Sequence, residues 1–212
     1  MALKLLLGVW MAAVVVAAFL YAPAAEGFRQ SRIIFFHVPN AMVAVVAFIV
    51  AMIYAVQYLR GKRLVDDAKS AISAELGLLF AVLATVTGLV FARVEWGSWW
   101  NWDARESSIL MLLLVYAAYF ALRAAVDGAE RRAALSAVYA IAAIAPMVLF
   151  TFVVSAQMSE LHPKGTLIGR HALRQEYRVV LYSAMAGFLG LYLWLFRTRT
   201  ALAEVRMKLR RY

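Results

Sequence analysis

The sequence predicts an all-α polytopic membrane protein of six transmembrane helices, with both termini cytoplasmic. Three observations carry that prediction. Of 212 residues, 65% are hydrophobic and only 16% charged, against about 25% charged in a soluble domain. Six apolar runs each approach the roughly 20 residues that a helix needs to cross about 30 Å of hydrocarbon. Basic residues also gather on one side: 14 of the 22 Lys and Arg fall at Lys4, Arg60–Lys69, Arg123–Arg132 and Arg197–Arg211. The preference for cytoplasmic Lys and Arg makes that side the inner one.

The runs are roughly 3–25, 38–59, 71–92, 107–126, 133–156 and 178–196. None shows the alternation of a barrel strand, and a helix satisfies its backbone within itself. The first run ends in Ala22-Pro23-Ala24-Ala25, which resembles a signal cleavage site. Its apolar stretch from Leu5 to Ala22 exceeds the usual 7–15 residues of a signal core, so a retained helix is expected. The inner connections, 60–70 and 127–132, are short and basic. Pro146 lies within the fifth run and is expected to kink it, because it removes a backbone donor. Residues 1–212 are expected to form one domain with no soluble appendage.

The absence of cysteine excludes a disulfide framework, a thiolate metal site and a C-x-x-C-H heme attachment. The net charge of +10 lies mainly on the inner connections and tail, so it points to anionic lipids and not to nucleic acid. The outer connections, roughly 23–37, 93–106 and 157–177, hold the unusual residues. These include all three histidines (His37, His162, His171) and four of the six tryptophans, and eight positive residues lie on this side once Arg178 at the edge of the last run is counted. Cations kept where the orientation rule disfavours them suggest an anionic ligand.

The loop 93–106 contains Trp96-Gly97-Ser98-Trp99-Trp100-Asn101-Trp102-Asp103-Ala104-Arg105. An aromatic belt at headgroup level is the plain alternative, but four indoles in seven residues exceed what anchoring requires. If the segment is helical, Trp96, Trp99, Trp100 and Asp103 share a face and form a flat platform for a planar ligand. Asp103 would then accept from an indole N–H or orient a histidine. Arg105 offers a fork suited to carboxylate or to lipid phosphate. His37 and His162 flank this segment in the chain. Two neutral imidazoles approaching from opposite sides would supply both axial ligands of an iron porphyrin. A bare zinc site fits less well, lacking a third ligand at suitable spacing. His171, beside Arg170, reads as a surface residue.

With these residues assembled, the sequence resembles the cytochrome c maturation heme-delivery family CcmC, also labelled heme exporter protein C, a tryptophan-signature ("WWD") heme-handling group. The matching stretches are Phe36-His37-Val38-Pro39, Trp96 to Arg105, and Leu161-His162-Pro163, within a likeness spanning about residues 30–195. The resemblance implies heme b held non-covalently at the outer face of the cytoplasmic membrane, with His37 and His162 as axial ligands. It also implies transfer to the membrane-anchored heme chaperone CcmE, beside the ATP-binding-cassette pair CcmA and CcmB and the small membrane protein CcmD. After Arg105 this chain has Glu106-Ser107-Ser108 where the family pattern has Leu-Thr and a small residue. Glu106 thus brings a negative charge to a site meant for an anion.

Two alternatives use the same features. A cytochrome c heme lyase with this signature would be longer and carry more histidines. A cytochrome b-type anchor would hold heme on histidines within facing helices, which the six runs lack. No nucleophile–base pair and no ATP-binding loop is evident, so an enzyme is not expected.

Overall fold

Helices account for all regular structure among the described residues of the computed structural model, which are 2–22, 31–158, 161 and 174–209. The order is α1 (Ala2–Leu20), a 3-10 turn (Ser31–Ile33), α2 (Ile34–Gly61), α3 (Leu64–Trp96), α4 (Ala104–Ala125), α5 (Ala129–Ala142), α6 (Ile144–Val148), a π segment (Leu149–Val154), α7 (Ser155–Met158) and α8 (Gln175–Leu209). Among the described residues, six spans are long and apolar enough to cross a membrane, the fifth running from Ala129 to Val154.

Several helices outrun their apolar cores. α2 and α3 meet at Lys62–Arg63, so the expected inner connection 60–70 shrinks to a tight turn. Lys62 adopts a left-handed φ of 53° there, and its N–H donates to Tyr58 O at 2.7 Å. Asp66 and Asp67 then occupy the first turn of α3, where carboxylates favour the positive end of the helix dipole. α8 has 35 residues, about 50 Å at 1.5 Å each, so its basic end continues past the hydrocarbon as helix. Lys69–Glu204 at 3.3 Å and Arg199–Glu75 at 2.8 Å tie that end to α3.

Small residues let the backbones approach, which is how helices associate when lipid removes the hydrophobic drive. On α2, Ala44, Ala47, Ala51 and Ala55 are buried, as are Ser70, Ser73, Ala74, Gly77 and Ala81 on α3. Ser70 Oγ donates to Ala51 O at 2.8 Å and Ser73 Oγ to Ala47 O at 2.6 Å. A Cβ on Gly77 would stand 2.5 Å from the Phe48 ring, so only glycine admits that contact. Phe48 stacks in turn on Tyr116 of α4, with centroids 3.5 Å apart. α1 packs on α8 at Gly187 and Gly190, and Trp10 Nε1–H donates to Ser183 O at 2.9 Å. The rest of α1 is largely exposed, as a lipid-facing helix would be.

The fifth span is broken near Pro146, as its sequence predicts. α5 stops at Ala142, a turn at Ala143 leads into α6, and the chain then widens into the π segment. Where α3 begins and α4 ends, Arg123 of α4 grips Asp67 with two hydrogen bonds, 2.6 and 3.0 Å. The guanidinium also lies 5.7 Å from the centre of the Tyr119 ring.

Candidate functional site

A cavity of about 190 Å³ opens where α2, α3, α4 and the π segment converge. His37, Trp96, Trp100 and Arg105 all line it. Residues from three stretches of the sequence thus meet, and each is placed by a local feature.

His37 sits in the first turn of α2, not in the preceding connection. Its Nδ1 lies 2.9 Å from Ala84 O and 3.2 Å from Thr87 Oγ1. A carbonyl can only accept, so Nδ1 carries the proton and Nε2 keeps the lone pair. That is the tautomer which ligates a metal through Nε2. Gly88 makes the approach possible, because a Cβ there would stand 3.1 Å from His37 Cε1.

The tryptophan segment is not a helix. α3 ends at Trp96, and Gly97 takes a left-handed φ of 79°; Arg93 donates to Gly97 O, folding the side chain over the helix end. Trp102 is also left-handed, at φ 57°, a conformation that disfavours any residue with a Cβ. The expected shared face of Trp96, Trp99, Trp100 and Asp103 therefore does not form. Trp96 and Trp100 reach the cavity, whereas Trp99 and Trp102 are 57% and 73% exposed. Trp100 and Trp102 meet edge to face with centroids 5.8 Å apart.

Asp103 is buried as the N-cap of α4, accepting from Arg105 N–H at 2.9 Å. This is the ordinary capping role of aspartate. Glu106 braces the loop, accepting from Asn101 N–H at 2.6 Å and from Asn101 Nδ2 at 3.3 Å. Its position in the first turn of α4 also suits a carboxylate.

The other cavity wall has residues that periodicity did not single out: Thr85 and Gly88 on α3, Ser108 on α4, and Phe150, Thr151 and Ser155 around the π segment. Pro146 was the one sequence signal near the last three. π turns often mark functional sites. His162 and His171 lie outside the described residues. Among the described residues no group of three or more His, Cys, Asp and Glu could hold a metal ion. The chemistry on offer is one imidazole nitrogen, two indoles, a guanidinium, the Glu106 carboxylate and the hydroxyls of Thr85, Ser108, Thr151 and Ser155, set among apolar walls.

Comparison with known proteins gives this geometry its context. The sequence profile of the heme exporter protein C family matches residues 1–212. The chain belongs to the heme exporter protein C family. It is 32% identical over 189 residues to the heme exporter protein C of Paracoccus denitrificans, covering 86% of this chain and 78% of that one. The heme exporter protein C of Rhodobacter capsulatus is 29% identical over 195 residues, 90% of this chain and 81% of that one. A more distant likeness, 40% over 78 residues, joins it to the cytochrome c biogenesis protein CcsA of Prochlorococcus marinus, covering 37% of this chain and 24% of that protein. As a member of this family, the chain is a multi-pass membrane protein of cytochrome c maturation.

Proposed function

We propose that this protein takes heme b non-covalently at the outer face of the cytoplasmic membrane and delivers it to the heme chaperone CcmE. The observation that carries the reading is His37: its Nδ1 proton is held by Ala84 O, and it lines a cavity together with Trp96, Trp100 and Arg105. In this reading His37 and His162 are the axial ligands, and heme is cargo passing through, not a resident catalyst. The protein is a carrier and not an enzyme. CcmA, CcmB and CcmD are its neighbours, the single domain 1–212 keeps both termini in the cytoplasm, and the basic tail rests on anionic lipid.

The cavity supports transfer rather than storage. At about 190 Å³ it is smaller than the roughly 300–1,000 Å³ of pockets that enclose drug-sized ligands, so it grips part of a porphyrin and leaves the remainder open to a partner. Trp99 and Trp102 stand exposed beside it and form the docking edge. Trp99→Ala and Trp102→Ala are expected to retain heme while lowering its appearance on co-expressed CcmE several-fold. Heme measured on both purified proteins tests this, and normal delivery by both variants would remove the docking role. Orientation is tested separately in this cysteine-free chain. A cysteine at Lys62 should resist an impermeant reagent in intact cells and one at Ser98 should react; the opposite pattern inverts the topology.

A further inference from the structure

α3 and α8 touch where the hydroxyls of Ser73 and Tyr192 meet at 2.8 Å. Toward the basic end of α8 they are joined by long side chains instead. Arg199 reaches Glu75 at 2.8 Å, and Lys69 reaches Glu204 at 3.3 Å. Ala203 stands between these two struts and is too small to fill the space they hold open. The result is a groove of about 410 Å³, lined by Ile72 of α3 and by Arg199, Leu202, Ala203, Arg206 and Met207 of α8. The five α8 residues follow the three- and four-residue spacing of one helix face.

The groove has an apolar floor and a cationic rim. Glu75 and Glu204 are engaged by Arg199 and Lys69, whereas no carboxylate among the described residues pairs with Arg206. Its guanidinium offers a planar fork that matches a phosphate. Leu202, half exposed, lies one turn from it. Cations and bare apolar side chains together call for an occupant that is anionic at one end and apolar at the other. On α3, Leu79, Leu83, Val86 and Val90 continue the face of Ile72 at helical spacing, and all four are exposed. That stripe runs from the groove into the hydrocarbon, which suits acyl chains better than a water-soluble peptide. Basic pockets between helices at the inner face are suited to anionic headgroups, and the volume is within the roughly 300–1,000 Å³ of small-molecule sites.

We propose that this groove is a site for one anionic phospholipid of the inner leaflet, with its phosphate on Arg206 and its acyl chains along the α3 stripe. The lipid fills the gap between the struts and fastens the overhanging end of α8 to α3. This rests on the cytoplasmic, lipid-facing tail of the reading above, but assigns the lipid to one groove instead of to the tail's overall charge.

The test separates the groove from the charge around it. Protein purified in a mild detergent and stripped of lipid is titrated with phosphatidylglycerol and with phosphatidylcholine of the same chains, and bound lipid is counted by native mass spectrometry. Wild type should take one phosphatidylglycerol at least about fivefold more readily, the scale of one arginine at an anionic surface. Arg206→Gln should remove most of that preference, and Arg206→Lys less of it, because an ammonium keeps the charge but not the fork. Arg197→Gln removes the same charge from the same helix end but outside the groove, and should leave the preference intact. Equal binding of both lipids by wild type overturns the site and gives the groove to a protein partner. Equal losses in Arg206→Gln and Arg197→Gln overturn it in favour of diffuse attraction by the tail. Displacement of the lipid by inorganic phosphate at the same concentration overturns it in favour of the free ion. The tail's orientation is read from cysteine labelling, on which this titration in detergent does not depend.

Discussion

Replacing His37 with alanine is expected to abolish the low-spin, six-coordinate heme spectrum and most heme retention, at unchanged protein levels in the membrane. Removing an outer-shell partner of a metal ligand typically lowers affinity about 10–100-fold, and removing the ligand itself should exceed that. His37 is half-buried in the first turn of α2, and the truncation leaves a gap against Gly88 without disturbing a helix core. Free imidazole should therefore enter the gap and restore part of the spectrum. His162→Ala should act alike, and His171→Ala should change little. Thr87→Val, which removes only the hydroxyl 3.2 Å from Nδ1, should give a milder loss. A six-coordinate spectrum that survives His37→Ala would sink the ligand assignment.

The largest effect on stability is expected at the opposite end of the bundle. Asp67→Ala leaves the Arg123 guanidinium without its carboxylate. The Arg123 and Asp67 side chains are only 15% and 11% exposed, so water and salt screen them weakly. Breaking a buried pair on one side costs about 3–5 kcal/mol. A marked fall in thermal stability in detergent follows. The double variant Asp67→Ala/Arg123→Met should recover much of it, because an apolar replacement of both partners is often neutral. Thermal unfolding of the two variants side by side checks this. If Asp67→Ala unfolds at the wild-type temperature, the pair contributes nothing net.

Hydropathy was enough to find all six spans, because lipid demands long apolar runs whatever their partners. It misplaced their ends where charges enter the helix. Asp66, Asp67 and Lys69 read as loop residues, yet Arg123 and Glu204 pair with Asp67 and Lys69 across helices and let α3 begin at Leu64. At the site, residue types pointed correctly to His37, Trp96, Trp100 and Arg105 as neighbours in space, but the helical spacing of the tryptophans misled. Gly97 ends α3 one residue after Trp96, so a three-and-four pattern could not continue. The wall at Phe150, Thr151 and Ser155 was hidden for a geometric reason. A π turn holds more residues than an α turn, whereas helical periodicity assumes about 100° per residue throughout. The phase set by α5 is therefore lost before the chain reaches the cavity.

The left-handed backbone at Trp102 changes how a substitution there must be read. Alanine at this position keeps the unfavourable φ of 57°, since it retains a Cβ. Glycine removes the same indole but adopts that φ freely, at the expense of a more disordered unfolded chain. Trp102→Ala alone thus combines loss of the ring with a strained backbone that no longer has the aromatic contact with Trp100. Trp102→Gly loses the ring in a relaxed backbone. The difference between the two substitutions isolates loop conformation, and what they share isolates the indole.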